Sequence, residues 1–147
     1  MKQTKSIASR AEMAAFAANI ATNLHAGDLV LLNGQLGAGK TFLSQSILKA
    51  LGVTEQVTSP TFVMLKYYQG KLPINHVDAY RLLDLVKPLQ AFEDLDIELD
   101  NSVTIVEWGE PFDVTGQALH IDIEVGELEN RTVTIYGSDL RWGALKL

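Results

Sequence analysis

The stretch Leu29-Val30-Leu31-Leu32-Asn33-Gly34-Gln35-Leu36-Gly37-Ala38-Gly39-Lys40-Thr41-Phe42-Leu43 decides the fold. Its first four residues are a short, unbroken apolar run, as expected of a strand buried on both faces in a parallel sheet. The segment Gly34 to Thr41 then meets the pattern G-x-x-x-x-G-K-[ST]. Each residue type has a reason to be there. The glycines let the backbone curl until successive N–H groups point at one set of phosphate oxygens. A helix starting near Lys40 adds its positive N-terminal end. The Lys40 ammonium reaches for β- and γ-phosphates, and the Thr41 hydroxyl for Mg²⁺. A chance match in a chain this long has odds on the order of half a per cent, given typical glycine usage. The strand before and the amphipathic helix after supply the context that turns such a match into a reading.

Working outward, Ser9-Arg10-Ala11-Glu12 reads as a capping box. It opens a helix to about Leu24 with Met13, Phe16, Ala17, Ile20 and Leu24 on one face. The helix after the glycine loop carries Phe42, Leu43, Ile47, Leu48 and Leu51, and Gly52 suits the left-handed position that ends it. A loop and a strand follow over residues 58–68, then a turn at Gln69-Gly70 and a strand ending near Val77. Tyr80 to Leu99 reads as helical stretches broken at Pro88. Val103-Thr104-Ile105-Val106 is a second buried strand. Leu119–Val125 and Thr132–Tyr136, joined by a turn over Gly126–Asn130, read as a hairpin forming an antiparallel edge with one wet face. The expected fold is therefore α/β, a P-loop NTPase-like sheet with a mostly parallel centre. It has antiparallel additions, including the C-terminal hairpin, and helices on both faces. Residues 1–147 are expected to make a single domain.

Composition narrows the function. The chain has 147 residues, no cysteine and a net charge of -6. Missing cysteines exclude a disulfide framework, a thiolate zinc site and a cysteine nucleophile. No apolar run reaches the ~20 residues of a membrane span, and no signal-peptide order is present, so no membrane association and a cytoplasmic location are expected. An acidic chain without a Lys/Arg cluster lacks the basic stripe on which nucleic-acid affinity depends, so any RNA would be held by a partner.

A phosphate-loop enzyme also needs a second magnesium partner and a group to orient the attacking water. Glu107, directly after the Val103–Val106 strand, emerges at the carboxyl end of the sheet in the position of a Walker B acid. Asp78, after Ile74-Asn75-His76-Val77, reaches for the same edge, and it also suits a cap before Ala79-Tyr80-Arg81. Thr58-Ser59-Pro60-Thr61-Phe62 is either a switch that senses phosphate and Mg²⁺ or a plain turn. On its own, Trp108 reads as a core tryptophan. His25, His76 and His120 have no metal spacing and read as structural. Arg81 reads as paired with Asp78 or Asp84 rather than as an arginine finger.

Together these residues resemble the TsaE (YjeE) family of small bacterial ATPases in tRNA threonylcarbamoyladenosine biosynthesis. The resemblance rests on the Gly34–Thr41 loop, Ser59-Pro60-Thr61-Phe62, His76-Val77-Asp78-Ala79-Tyr80-Arg81-Leu82 and Val106-Glu107-Trp108-Gly109-Glu110. The order and spacing of the last three are specific, and the resemblance runs over nearly the whole chain. The resemblance implies slow hydrolysis of ATP, binding of ATP and ADP with Mg²⁺, and action on a TsaB–TsaD pair that meets the tRNA. It implies a nucleotide site of Gly34, Gln35, Leu36, Gly37, Ala38, Gly39, Lys40, Thr41 and Phe42, with Trp108 close by. Thr41, Thr61, Asp78 and Glu107 would serve metal or water, and Lys40, Asp78 and Glu107 catalysis. Gln35 and Phe42 depart from the family's commoner Asp and Thr. Nothing beyond Val125 carries a motif that maps onto the family.

Two rivals share much of this pattern. A small-molecule kinase would close an arginine-bearing lid over the phosphate, but the only arginines are the scattered Arg10, Arg81, Arg131 and Arg141. A nucleotide-sensing binding module with negligible hydrolysis would use the same residues. A GTPase is disfavoured because the chain has no N-K-x-D motif, and its one D-x-x-G, Asp113-Val114-Thr115-Gly116, follows Glu107.

Overall fold

A computed structural model describes residues 2–57 and 64–147. Its centre is a seven-stranded sheet in the order β1-β7-β6-β2-β5-β4-β3. The strands are β1 Lys2–Ile7, β2 Leu29–Gly34, β3 Leu65–Gln69, β4 Pro73–Asp78, β5 Val103–Glu107, β6 Leu119–Val125 and β7 Arg131–Tyr136. The four inner strands β6, β2, β5 and β4 run parallel. The outer pairings β1–β7, β6–β7 and β3–β4 are antiparallel.

Both faces of the sheet are covered. On one lie α1 (Arg10–Thr22) and α2 (Lys40–Ala50). Met13, Phe16, Ala17, Ile20 and Leu24 share a buried cluster with Leu43, Ile47 and Leu48 of α2 and Val30 and Leu32 of β2. Ser9 caps α1, accepting the Glu12 N–H at 3.2 Å. The Glu12 carboxylate returns to the Ala8 N–H, one residue before the cap. Gly52 ends α2 at φ +91. On the other face lie a 3₁₀ turn at Tyr80–Asp84, α3 (Pro88–Glu93) and a second 3₁₀ turn at Glu110–Phe112. There Leu82, Phe92 and Phe112 pack on Leu29, Leu31, Val77 and Val106. A final turn of helix, α4 (Leu140–Gly143), seats Trp142 in the first cluster.

Three expectations change. Pro88 starts α3 at its first turn, where its missing N–H costs nothing, rather than breaking a helix. The C-terminal hairpin is not an edge: β6 pairs with β2, and β1 covers β7 from Lys2↔Tyr136 to Ile7↔Arg131. The strand β1 itself was not expected. No helix among the described residues is long and apolar enough to cross a membrane.

The register of β7 sets Tyr136 opposite His120, with the two rings stacked at 4.8 Å. The Tyr136 hydroxyl donates to Asp122 Oδ1 at 3.3 Å. Burial first, and then the Asp122 carboxylate, push the Tyr136 phenol up from 10.0 to about 12. A raised acid contributes stability below its unfolded value and loses it as pH rises through its folded one. Stability should therefore fall between pH 10 and about 12 through this residue. Thermal melts of wild type and Tyr136→Phe across that range should show a shallower alkaline decline in the variant.

Candidate active site

The loop after β2 is built by backbone geometry that its glycines permit. Gly39 caps α2 with a left-handed φ of +111. At Gly34 a Cβ would lie 2.8 Å from the Ile123 carbonyl oxygen and 3.0 Å from Ala38 Cβ. Any side chain there would push the loop off strand β6. Lys40 is the first residue of α2 and is 5% exposed. Its ammonium donates to the carbonyl oxygens of Gly34 and Gln35, the latter at 2.9 Å. It also sits 3.7 Å above the centroid of the Trp108 ring. Burial lowers the Lys40 pKa, and the nearby Glu107 and Asp78 carboxylates oppose that fall.

The carboxyl ends of β4 and β5 bring the acids to the same place. Parallel pairing sets Asp78 directly beside Glu107. Glu107 is 2% exposed. Its Oε1 accepts the Thr41 hydroxyl at 2.7 Å. Its Oε2 faces His76 Nε2 at 2.7 Å and the Ser44 hydroxyl at 3.3 Å. The Ser44 proton is shared with the Thr41 carbonyl at 2.9 Å. Asp78 Oδ1 accepts the Tyr80 N–H at 3.0 Å, so it does hold the start of the 3₁₀ turn. Asp78 also lines the cleft, so the cap and the position at the site occur together.

That cleft has a volume of about 410 Å³ and is walled by the loop, Thr41, Asp78, Arg81, Glu107 and Trp108. Trp108 lines the cleft, as the resemblance implies, rather than lying in the core as its residue type alone suggests. It is half-buried, and its backbone takes φ +62. For a bulky residue this conformation costs about 1–2 kcal/mol. It is held there by the Tyr80 ring at 4.9 Å, by the Lys40 cation and by the Gly109 N–H bonded to the Leu32 carbonyl at 3.2 Å. A cation over an indole contributes about 0.5–2 kcal/mol, enough to offset that strain. The strain has a local use, since it turns the indole back over the loop. Arg81 departs too: no ion pair holds it among the described residues, and it lines the cleft.

A second cleft of about 230 Å³ opens on the other side of the loop. It shares Gly37 and Gly39 with the first and is lined by Arg10, Phe42, Leu128 and Arg131. The Arg10 guanidinium lies 5.1 Å from the Phe42 ring centroid. Arg131 donates to the Ala38 carbonyl at 3.0 Å and to the Asn130 carbonyl at 2.9 Å, which ties the hairpin turn to the loop.

Gly34, Gln35, Leu36, Gly37, Ala38, Gly39, Lys40, Thr41, Asp78, Glu107 and Trp108 are thus brought together, with Phe42 at the far side. Thr61 and its neighbours in Thr58–Phe62 lie outside the described residues. Sequence reasoning missed His76 and Arg131. The one signal for His76 was strand alternation, which sets residues 76 and 78 on the same face. For Arg131 there was none. His25 and His120 keep structural places: His25 is exposed, and His120 stacks on Tyr136.

The donor set suits a hard cation. Mg²⁺ takes oxygen ligands, often one or two carboxylates alongside phosphates and water. Thr41, Glu107 and Asp78 supply oxygens beside a loop shaped for phosphate. Among the described residues no cluster of three or more acidic, His or Cys side chains could hold a metal by itself.

Comparison with known proteins agrees with the resemblance. Residues 7–133 match the family model described as threonylcarbamoyl adenosine biosynthesis protein TsaE. A tRNA threonylcarbamoyladenosine biosynthesis protein TsaE from Streptomyces coelicolor is 44% identical over 135 residues, covering 84% of this chain and 88% of that one. Its counterpart from Mycobacterium tuberculosis is 38% identical over 129 residues, covering 82% and 75%. Among solved structures, YdiB of Bacillus subtilis superposes with a TM-score of 0.77 at 27% identity, covering 99% of this chain and 91% of that chain.

Proposed function

The chain belongs to the TsaE family, and from that premise we propose that it is a Mg²⁺-dependent ATPase supporting threonylcarbamoyladenosine modification of tRNA through partner proteins. The observation that carries the reading is the Thr41–Glu107 hydrogen bond at 2.7 Å, directly beneath a glycine loop with Lys40 at its rim. In this arrangement the loop N–H groups and Lys40 bind the β- and γ-phosphates. Thr41 and Glu107, with Asp78 beside them, hold the metal or its water ligands. Mg²⁺, when bound, neutralises charge on the phosphates. Asp78 or Glu107 positions the attacking water, and Arg81 is a second cation within reach of the same space. The second cleft takes the nucleoside against Phe42 and Arg10.

The partners in this reading are TsaB and TsaD, with tRNA reached only through them. The acidic charge of -6 supports it, because a protein that does not itself hold RNA needs no basic face. The alternative is a nucleotide sensor with negligible hydrolysis. Lys40 favours that reading in one respect: its ammonium bonds the loop's own carbonyls, so nucleotide binding must exchange those bonds for phosphate and thereby change the loop.

The test is steady-state ATP hydrolysis with Mg²⁺, alone and with purified TsaB and TsaD, using Lys40→Ala as control. The expected result is slow turnover alone, a rise with the partners and loss in the variant. Turnover indifferent to the partners would detach the chain from that complex, and a phosphorylated acceptor would favour a kinase.

A further inference from the structure

His76, buried beside the cleft, has no place in the nucleotide reading. It is fully buried, with 0% exposure. Its Nε2 lies 2.7 Å from Glu107 Oε2, and among the described residues its buried Nδ1 has no hydrogen-bond partner. An ionised carboxylate only accepts, so Nε2 is the donor in this contact. A histidine serving the core alone would be a poor choice here. An apolar side chain would fill the same space without orphaning a nitrogen. The cost is spent on one contact, and that contact is to the acid at the centre of the site.

We propose that His76 is a positioning residue that fixes the Glu107 carboxylate so that its Oε1, and not its Oε2, serves Thr41 and the metal. This rests on the nucleotide reading above. Without His76, Oε2 keeps only the proton that Ser44 divides between Glu107 and the Thr41 carbonyl. The carboxylate is then free to turn about its last bond. With His76, one oxygen is committed to the sheet interior and the other to the loop helix. The β-pleat makes the device possible. His76 and Asp78 share a face of β4, and the parallel register sets Glu107 opposite Asp78, one diagonal step from His76. Outer groups that orient metal-binding side chains in this way typically change metal affinity or activity 10- to 100-fold when removed.

The test compares wild type with His76→Gln, His76→Asn and His76→Leu. A glutamine amide can place an N–H where Nε2 stood, whereas the shorter asparagine reaches only the Nδ1 position. ADP binding is measured by calorimetry with and without Mg²⁺, ATP hydrolysis is titrated with Mg²⁺, and thermal melts report folding. Metal-free ADP affinity should be unchanged in all three variants. In His76→Asn and His76→Leu the Mg²⁺ needed for half-maximal effect should rise about 10- to 100-fold, with kcat lower and KM for ATP at saturating Mg²⁺ unchanged. His76→Gln should recover most of both losses.

Folded variants with wild-type Mg²⁺ dependence would overturn the proposal. So would a glutamine variant no better than asparagine, a parallel loss of metal-free ADP affinity, or failure of all three variants to fold. A wild-type protein blind to Mg²⁺ would overturn the nucleotide reading itself and this inference with it. A wild type that responds to Mg²⁺ beside indifferent variants would overturn this inference alone.

Discussion

Glu107→Gln is expected to keep nucleotide and lose turnover. The glutamine has the same shape, so the tightly packed end of β5 is not disturbed. What changes is the hydrogen bonding. Glu107 now accepts from Thr41 on one oxygen and from His76 and Ser44 on the other. An amide can accept on only one side. Its oxygen will settle toward His76 and Ser44, because two donors wait there. Its NH₂ then faces Thr41 and donates into the hydroxyl lone pair that the metal would use. The negative charge opposite Lys40 is lost as well. Turnover should fall on the order of 10²- to 10³-fold, as when one preorganised electrostatic contact is removed. Metal-free ADP affinity, set by the loop and Lys40, should hold. Single-turnover hydrolysis and ADP calorimetry on the same preparation check both halves. The variant also separates the two functional readings: if modification supported by the protein in a reconstituted reaction survives the loss of hydrolysis, the chain acts as a sensor.

Much of this site was legible because it is local. The loop, its strand and its helix are contiguous, and each glycine is demanded by the backbone at its own position. The inner strands β2 and β5 were legible as short apolar runs, because parallel strands covered on both faces need little else. What escaped depends on neighbours in the sheet. Strand β1, Lys-Gln-Thr-Lys-Ser-Ile, buries only Ile7 and is held by backbone pairing to β7, so it carries no apolar period to read. The His76–Glu107 contact spans 31 residues and exists only because β4 and β5 pair in one register. Residue type alone could not place Trp108 for a similar reason, and only the family resemblance set it near the site. Its identity argues for the core, and only its φ of +62 turns it outward over Lys40. Arg131 reaches the loop through a hairpin whose place beside β2 is a fact of topology. Residue type and periodicity therefore located the chemistry, while the groups that orient it are set by strand order.

Lys40→Met should abolish function without weakening the ligand-free fold. The lysine is 5% exposed, and burial lowers its pKa despite the pull of Glu107 and Asp78 in the other direction. A lysine whose folded pKa is depressed holds its proton less tightly when folded than when unfolded. Its charged form therefore costs stability at neutral pH, and that cost disappears as pH rises from the lowered value toward the ordinary 10.5. Methionine keeps the unbranched chain against the Trp108 ring and carries no charge to desolvate. It gives up the bonds to the Gly34 and Gln35 carbonyls, which in the wild type offset part of the cost of burying the ammonium. The melting temperature of the ligand-free variant should match or exceed that of wild type at pH 7, and the wild-type gain in stability toward pH 10 should be missing. With ADP and Mg²⁺ the order reverses: wild type is stabilised by mass action and the variant is not. Hydrolysis should fall on the order of 10²- to 10³-fold. Melts with and without nucleotide read all of this in one experiment. A ligand-free variant that melts well below wild type would mean that Lys40 is retained for the loop's own structure as much as for phosphate.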